Sequence, residues 1–180
     1  MLTLRNLISL AAVVAALLLI ALIGDRTLPG WNWGRLDYAF AAALLYGSGL
    51  AFLWASGGAR QFWFTTAVGL AVLGSFALVW VNLAVGILGS EDNPLNLLFF
   101  GVLAVLLAGA ALARLQPHAM AFVMLATALA QLLAAVVAAG LAGWQADARL
   151  PLVSAFFCLF WLASAAAFWR SPAPSQPAGA

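Results

Sequence analysis

The chain has no lysine, one cysteine, one histidine and five acidic residues among its 180, and each shortage removes a class of chemistry. Without lysine there is no Schiff-base nucleophile and no phosphate-binding P-loop, and neither HExxH nor GxxxxGK[ST] occurs. The lone Cys158 excludes a disulfide within the chain, and the lone His118, beside Arg114 and Pro117, makes a poor metal site. The basic charge is seven arginines spread singly, no two closer than nine residues. That spacing excludes the clustered basic face of a nucleic-acid binder and the polybasic segment of a lipid-surface anchor. Gly47-Ser48-Gly49 is no dinucleotide loop, because no strand precedes it. No cofactor is implied, and an enzyme is the least favoured class.

What the chain has is apolar length. It is 67% hydrophobic and 7% charged, and the charges leave six uninterrupted intervals: Asn6 to Gly24, Tyr38 to Ala59, Gln61 to Ser90, Asn93 to Ala113, Leu115 to Ala146, and Leu150 to Trp169. Each supplies the roughly 20 residues needed to cross a hydrocarbon core about 30 Å thick. The expected fold is all-α, a polytopic membrane helical bundle of about six helices. A single transmembrane domain over residues 1–170 is expected, with spans near 6–24, 37–56, 62–89, 94–113, 119–142 and 151–169. A disordered tail with three prolines would follow over 171–180. The first apolar run, about 17 residues and without a small-x-small site after it, reads as a retained helix, not a signal peptide.

An even number of spans places both termini on one side. Arg5, Arg60, Arg114 and Arg170 share that side, against Arg26, Arg35 and Arg149 with all five acids opposite, so the arginine count favours cytoplasmic termini. Trp31, Trp33, Trp144 and Trp169 suit the interfacial belt.

The densest polar sequence is Gly89-Ser90-Glu91-Asp92-Asn93-Pro94, with Asn96 just after it. Asn93 reads as an N-cap, Pro94 as the first helical residue, and Gly89 as the end of the third helix. Glu91 and Asp92 would then lie near the positive end of the fourth helix dipole. The sharper reading makes Asn82, Glu91, Asp92, Asn93 and Asn96 a ligand or ion site at the outer mouth of helices three and four. Ala71, Ser75, Asn82, Gly86 and Gly89 share one helical face, which should look into the bundle. An inward Asn82 predicts that Asn82→Leu weakens packing. Gln131, with Thr127 one turn before it, marks a second intramembrane polar contact on an alanine-rich face.

Three stretches carry a resemblance: Trp31-Asn32-Trp33 with Leu36-Asp37-Tyr38; Trp80-Val81-Asn82-Leu83-Ala84-Val85-Gly86 running into Gly89-Ser90-Glu91-Asp92-Asn93-Pro94 and Asn96; and Ala113-Arg114 with Pro117-His118 and Ala126-Thr127-Ala128-Leu129-Ala130-Gln131. From Trp31 to about Gly143 the chain resembles a family of small, uncharacterised bacterial inner-membrane proteins. The resemblance implies a membrane fold and supplies no mechanism. The leading expectation is a non-enzymatic inner-membrane protein acting through the lipid bilayer and a protein partner or a second copy of itself. The alternative is a small transporter or channel subunit.

Overall fold

The structure is a computed structural model that describes residues 2–57, 61–142 and 149–172. It is all-α: six helices long and apolar enough to span a membrane, with no strand among the described residues. They are α1 (Leu4–Thr27), α2 (Arg35–Ser56), α3 (Phe62–Ala84), α4 (Leu98–Ala113), α5 (Pro117–Leu141) and α6 (Arg149–Trp169). A 3-10 turn, Pro94–Leu97, leads into α4 and makes up the fourth span, Pro94–Ala113, with it. The charge gaps located every one of these helices. Trp144, Arg60, Asp147 and all but the first two residues of the expected disordered tail lie outside the described residues.

The chain divides into two compact units, Met1–Gly58 and Ala59–Ala180. The first is the α1–α2 pair. Its joining loop is held by two carboxylates: Asp25 Oδ1 accepts the Trp33 N–H at 2.9 Å, and Asp37 Oδ2 accepts the Gly34 N–H at 2.7 Å. Trp31, Trp33 and Tyr38 meet edge to face over this loop, and the Trp31 ring lies on Gly24. Gly49 of α2 admits the Leu10 side chain of α1. Little else is enclosed, since Val14 and Ala41 are the buried residues of these helices.

The second unit packs α3 on α6, α6 on α5 and α5 on α4. Ser164 meets Ala67 and Phe168 meets Phe64, so α3 and α6 are antiparallel; the contact of Gly109 with Val123 gives α4 and α5 the same relation. Small residues set the close approaches, as expected where helices associate without a hydrophobic driving force. A Cβ on Gly74 would stand 2.9 Å from Trp161 Cζ3 and 3.1 Å from Phe160 Cβ, and one on Gly109 2.6 Å from Val123 Cγ1.

The third helix ends at Ala84, not near 89. Val85 and Gly86 both donate to the Val81 carbonyl, and Gly86 turns into the left-handed region at φ 76 with the Ser90 carbonyl pressed against it. Ile87 and Leu88 then fold into the core, 2% and 3% exposed, instead of extending the helix. Gly89, also left-handed at φ 74, belongs to this turn and does not cap α3. The expected face of Ala71, Ser75 and Asn82 therefore stops at Asn82. The buried residues of α3 are Ala67, Val68, Ala71, Gly74, Leu78 and Asn82. His118 belongs to the first turn of α5.

Candidate functional site

The turn between α3 and α4 is built around Asn96, which is 3% exposed. Its Oδ1 accepts the Ile87 N–H at 3.1 Å and the Leu88 N–H at 2.8 Å, while its Nδ2 donates to the Ser90 carbonyl at 2.7 Å. One amide thus pairs three backbone groups of a segment that has left its helix; the Ile87 and Leu88 N–H groups would each cost about 1–3 kcal/mol if buried unpaired, and the Ser90 carbonyl has a second donor in the Asn93 N–H. Asn93 has the expected capping role: its Oδ1 accepts the Leu95 N–H at 3.0 Å, and Pro94 follows as first residue of the 3-10 turn. The backbone closes the turn with Asn93 N–H to Ser90 carbonyl and Asn96 N–H to Asn93 carbonyl.

Of the five residues read as a site, the structure brings Asn93 and Asn96 together in this turn, with both side chains bonded to its backbone. Glu91 and Asp92 are exposed beside it. Asn82 is 2% exposed on the core face of α3, and its Nδ2 has no hydrogen-bond partner. Among the described residues no group of three or more His, Cys, Asp and Glu is placed to hold a metal ion.

Gln131 and Thr127 are fully buried on α5, on the face that also carries Met124, Ala128 and Ala138. Thr127 Oγ1 donates to the Val123 carbonyl at 2.8 Å, satisfying itself within its own helix. Gln131 does not: neither Oε1 nor Nε2 has a partner.

A polar seam on α6 was not legible to us from the sequence. Ser154, Cys158, Trp161, Ser164 and Ser171 lie on the buried face of α6 and the residues just after it, none more than 8% exposed. Cys158 Sγ donates to the Ala128 carbonyl at 3.7 Å, Ser164 Oγ to the Ala67 carbonyl at 2.8 Å, and Ser171 Oγ to the Ala167 carbonyl at 3.1 Å. Ser154 Oγ and Trp161 Nε1 have no partner. The signal in the sequence was their spacing of four, three, three and seven, which keeps them on one helical face.

The two ends of this second unit differ in charge. One carries Glu91 and Asp92 with Arg149. At the other, the Arg170 guanidinium lies 5.0 Å from the Trp63 ring centre, His118 and Phe122 meet Trp169 edge to face at 5.6 and 5.8 Å, and Arg114 closes α4. Between the ends, α4 and α5 leave an open apolar groove of about 250 Å³, lined by Gly101, Val102, Val105, Ala130, Leu133 and Val137 among others.

Comparison with protein families, with curated proteins and with solved structures returns no match to this chain.

Proposed function

We propose that the protein is a non-enzymatic, multi-pass protein of the bacterial inner membrane that acts by lateral packing on protein or lipid partners. The observation that carries this reading is the α1–α2 pair. Only 6% of the spanning window of each helix is buried, and Leu4, Ile8, Val13, Leu19, Ile20 and Ile23 of α1 are all more than half exposed. On α2, Ala39, Ala43, Gly47 and Ala51 recur every fourth residue on an exposed face, the small-residue pattern that lets another helix approach closely. A cytoplasmic C-terminus is supported by the arginines of the second unit, Arg114 and Arg170 at the end where α6 finishes against Arg149 at the other. Membership of the family that the Trp80 to Asn96 stretch resembles belongs to the same proposal.

Photo-crosslinking from positions 43 and 47 of the intact protein in native membranes tests it. A discrete adduct, with a second copy or with another protein, is expected from position 47 and not from Leu152 on α6. Lipid adducts alone, at equal yield from both helices, would leave no protein contact on α2.

A second reading, a transporter or channel subunit with Asn82, Glu91, Asp92, Asn93 and Asn96 at its mouth, is favoured by the unpaired Nδ2 of Asn82. The commitment of Asn93 and Asn96 to the turn weighs against it. Solute flux in proteoliposomes that survives Asp92→Asn with Asn82→Ala would remove it.

A further inference from the structure

Polar side chains buried in a helix bundle are nearly always paired, and in the second unit Asn82, Gln131, Ser154 and Trp161 each keep an unpaired atom. Gln131 is fully buried with both amide atoms unpaired, and Ser154 is 2% exposed with its Oγ unpaired. Neighbouring contacts show that the two stand opposite one another. Cys158 Sγ reaches the Ala128 carbonyl, and toward the other end of the antiparallel pair His118 meets Trp169. From Ala128, Gln131 is three residues on, about 4.5 Å along the axis; from Cys158, Ser154 is four residues back, about 6 Å in the same direction. They therefore share a level to within about 2 Å, one turn beyond a direct contact, each on the face that makes it.

The contact of Gly74 with the Phe160 Cβ fixes the level of α3 in the same way. Ser154 lies six residues from Phe160, which corresponds to position 80 on α3. Asn82 is two residues further out, about 3 Å, toward Arg149. The unpaired Nδ2 of Asn82 thus stands between the charged start of α6 and the Gln131–Ser154 level. None of the three side chains is ionisable, and together they can both donate and accept hydrogen bonds.

We infer that Asn82, Gln131 and Ser154 line a hydrated pocket between α3, α5 and α6, entered from the Arg149 end, whose occupant is water. Gln131 supplies two donors and an acceptor and Ser154 a donor and an acceptor, enough to give a water its usual two to four partners. An uncharged lining of this kind gives water its partners without a carboxylate, so the pocket needs neither Glu91 nor Asp92.

Solvent exchange of the Gln131 side-chain amide, followed by NMR on the unmodified ¹⁵N-labelled protein in lipid nanodiscs, tests the inference. The Nε2 protons are expected to exchange at least about tenfold faster than the backbone amides of Leu129 and Leu132 on the same helix. Ser154→Cys in a Cys158→Ala background gives a second reading, because alkylation by iodoacetamide needs a thiolate and therefore water. It is expected to react about tenfold faster than Ala155→Cys, which lies at the same depth on the exposed face of α6. Gln131 exchange as slow as that of its backbone neighbours would mean that Gln131 and Ser154 bond to each other in a dry core, and would overturn the inference. So would a Ser154→Cys thiol that reacts no faster than the one at position 155.

Discussion

At the residue scale, one amide decides where a membrane helix stops. Val85 to Leu88 is as apolar as the helix before it, so hydropathy predicts continuation, and the structure turns away because Gly86 tolerates φ 76 and Asn96 pairs Ile87 and Leu88. Asn96→Ala would leave two buried N–H groups and the Ser90 carbonyl without this partner, a loss of about 2–5 kcal/mol. A large fall in thermal midpoint in detergent is expected, much greater than for Asp92→Ala on the exposed side of the turn. Asn82→Leu carries a different expectation. The side chain faces inward, as its type and face suggested, but its Nδ2 bonds no protein group, so the sequence-based expectation of weakened packing shrinks to less than about 1 kcal/mol. A thermal midpoint shifted by many degrees would show that Asn82 bonds another helix in the membrane.

At the element scale, helix existence was legible and helix pairing was not. Charges cannot enter the hydrocarbon cheaply, so twelve of them outline six spans, and the helices run a few residues past the charge gaps wherever Arg or Asp can reach the interface. α1, for instance, continues through Asp25 and Arg26 to Thr27. The buried face of α6 was missed because serine, cysteine and tryptophan occur on both lipid-facing and interior surfaces. The bonds that place them, such as Ser164 to Ala67 across 97 residues, leave no local trace. Glycine pairs offer a direct check of the packing. Gly74→Ala forces a methyl against the Trp161 ring and the Phe160 Cβ and is expected to cost about 1–3 kcal/mol through overpacking. Gly101→Ala, with nothing within 4 Å, should be neutral or gain up to about 1 kcal/mol from helix propensity. Unfolding of the two variants in the same detergent compares them, and equal stabilities would contradict the α3–α6 contact. The short link between α4 and α5 also stores strain, with Arg114 at φ 48 and Leu115 at φ 57, both left-handed without being glycine.

At the scale of the whole molecule, the division into two units separates two sources of stability. The second unit encloses Trp161, Phe99, Phe157, Phe168, Leu78 and Met124 almost completely, so its helices hold one another. The α1–α2 pair encloses one residue per helix and owes its helices to the bilayer, which satisfies no backbone group and so enforces helix on any inserted segment. That difference was invisible in composition, since the two spans of the first unit are on average as apolar as the four of the second, and a charge gap says nothing about what a helix touches. It has a measurable consequence. A chain of residues 59–180 is expected to insert and to unfold in detergent within a few degrees of the full protein, because the contacts among α3, α4, α5 and α6 are all present in it. If the first unit is the surface that partners use, the same truncation removes any co-purifying protein. Loss of the partner with retained stability would assign recognition to α1 and α2. A truncated chain that fails to fold would instead show that those two helices complete the core of the second unit, and the proposed division of labour would fall with it.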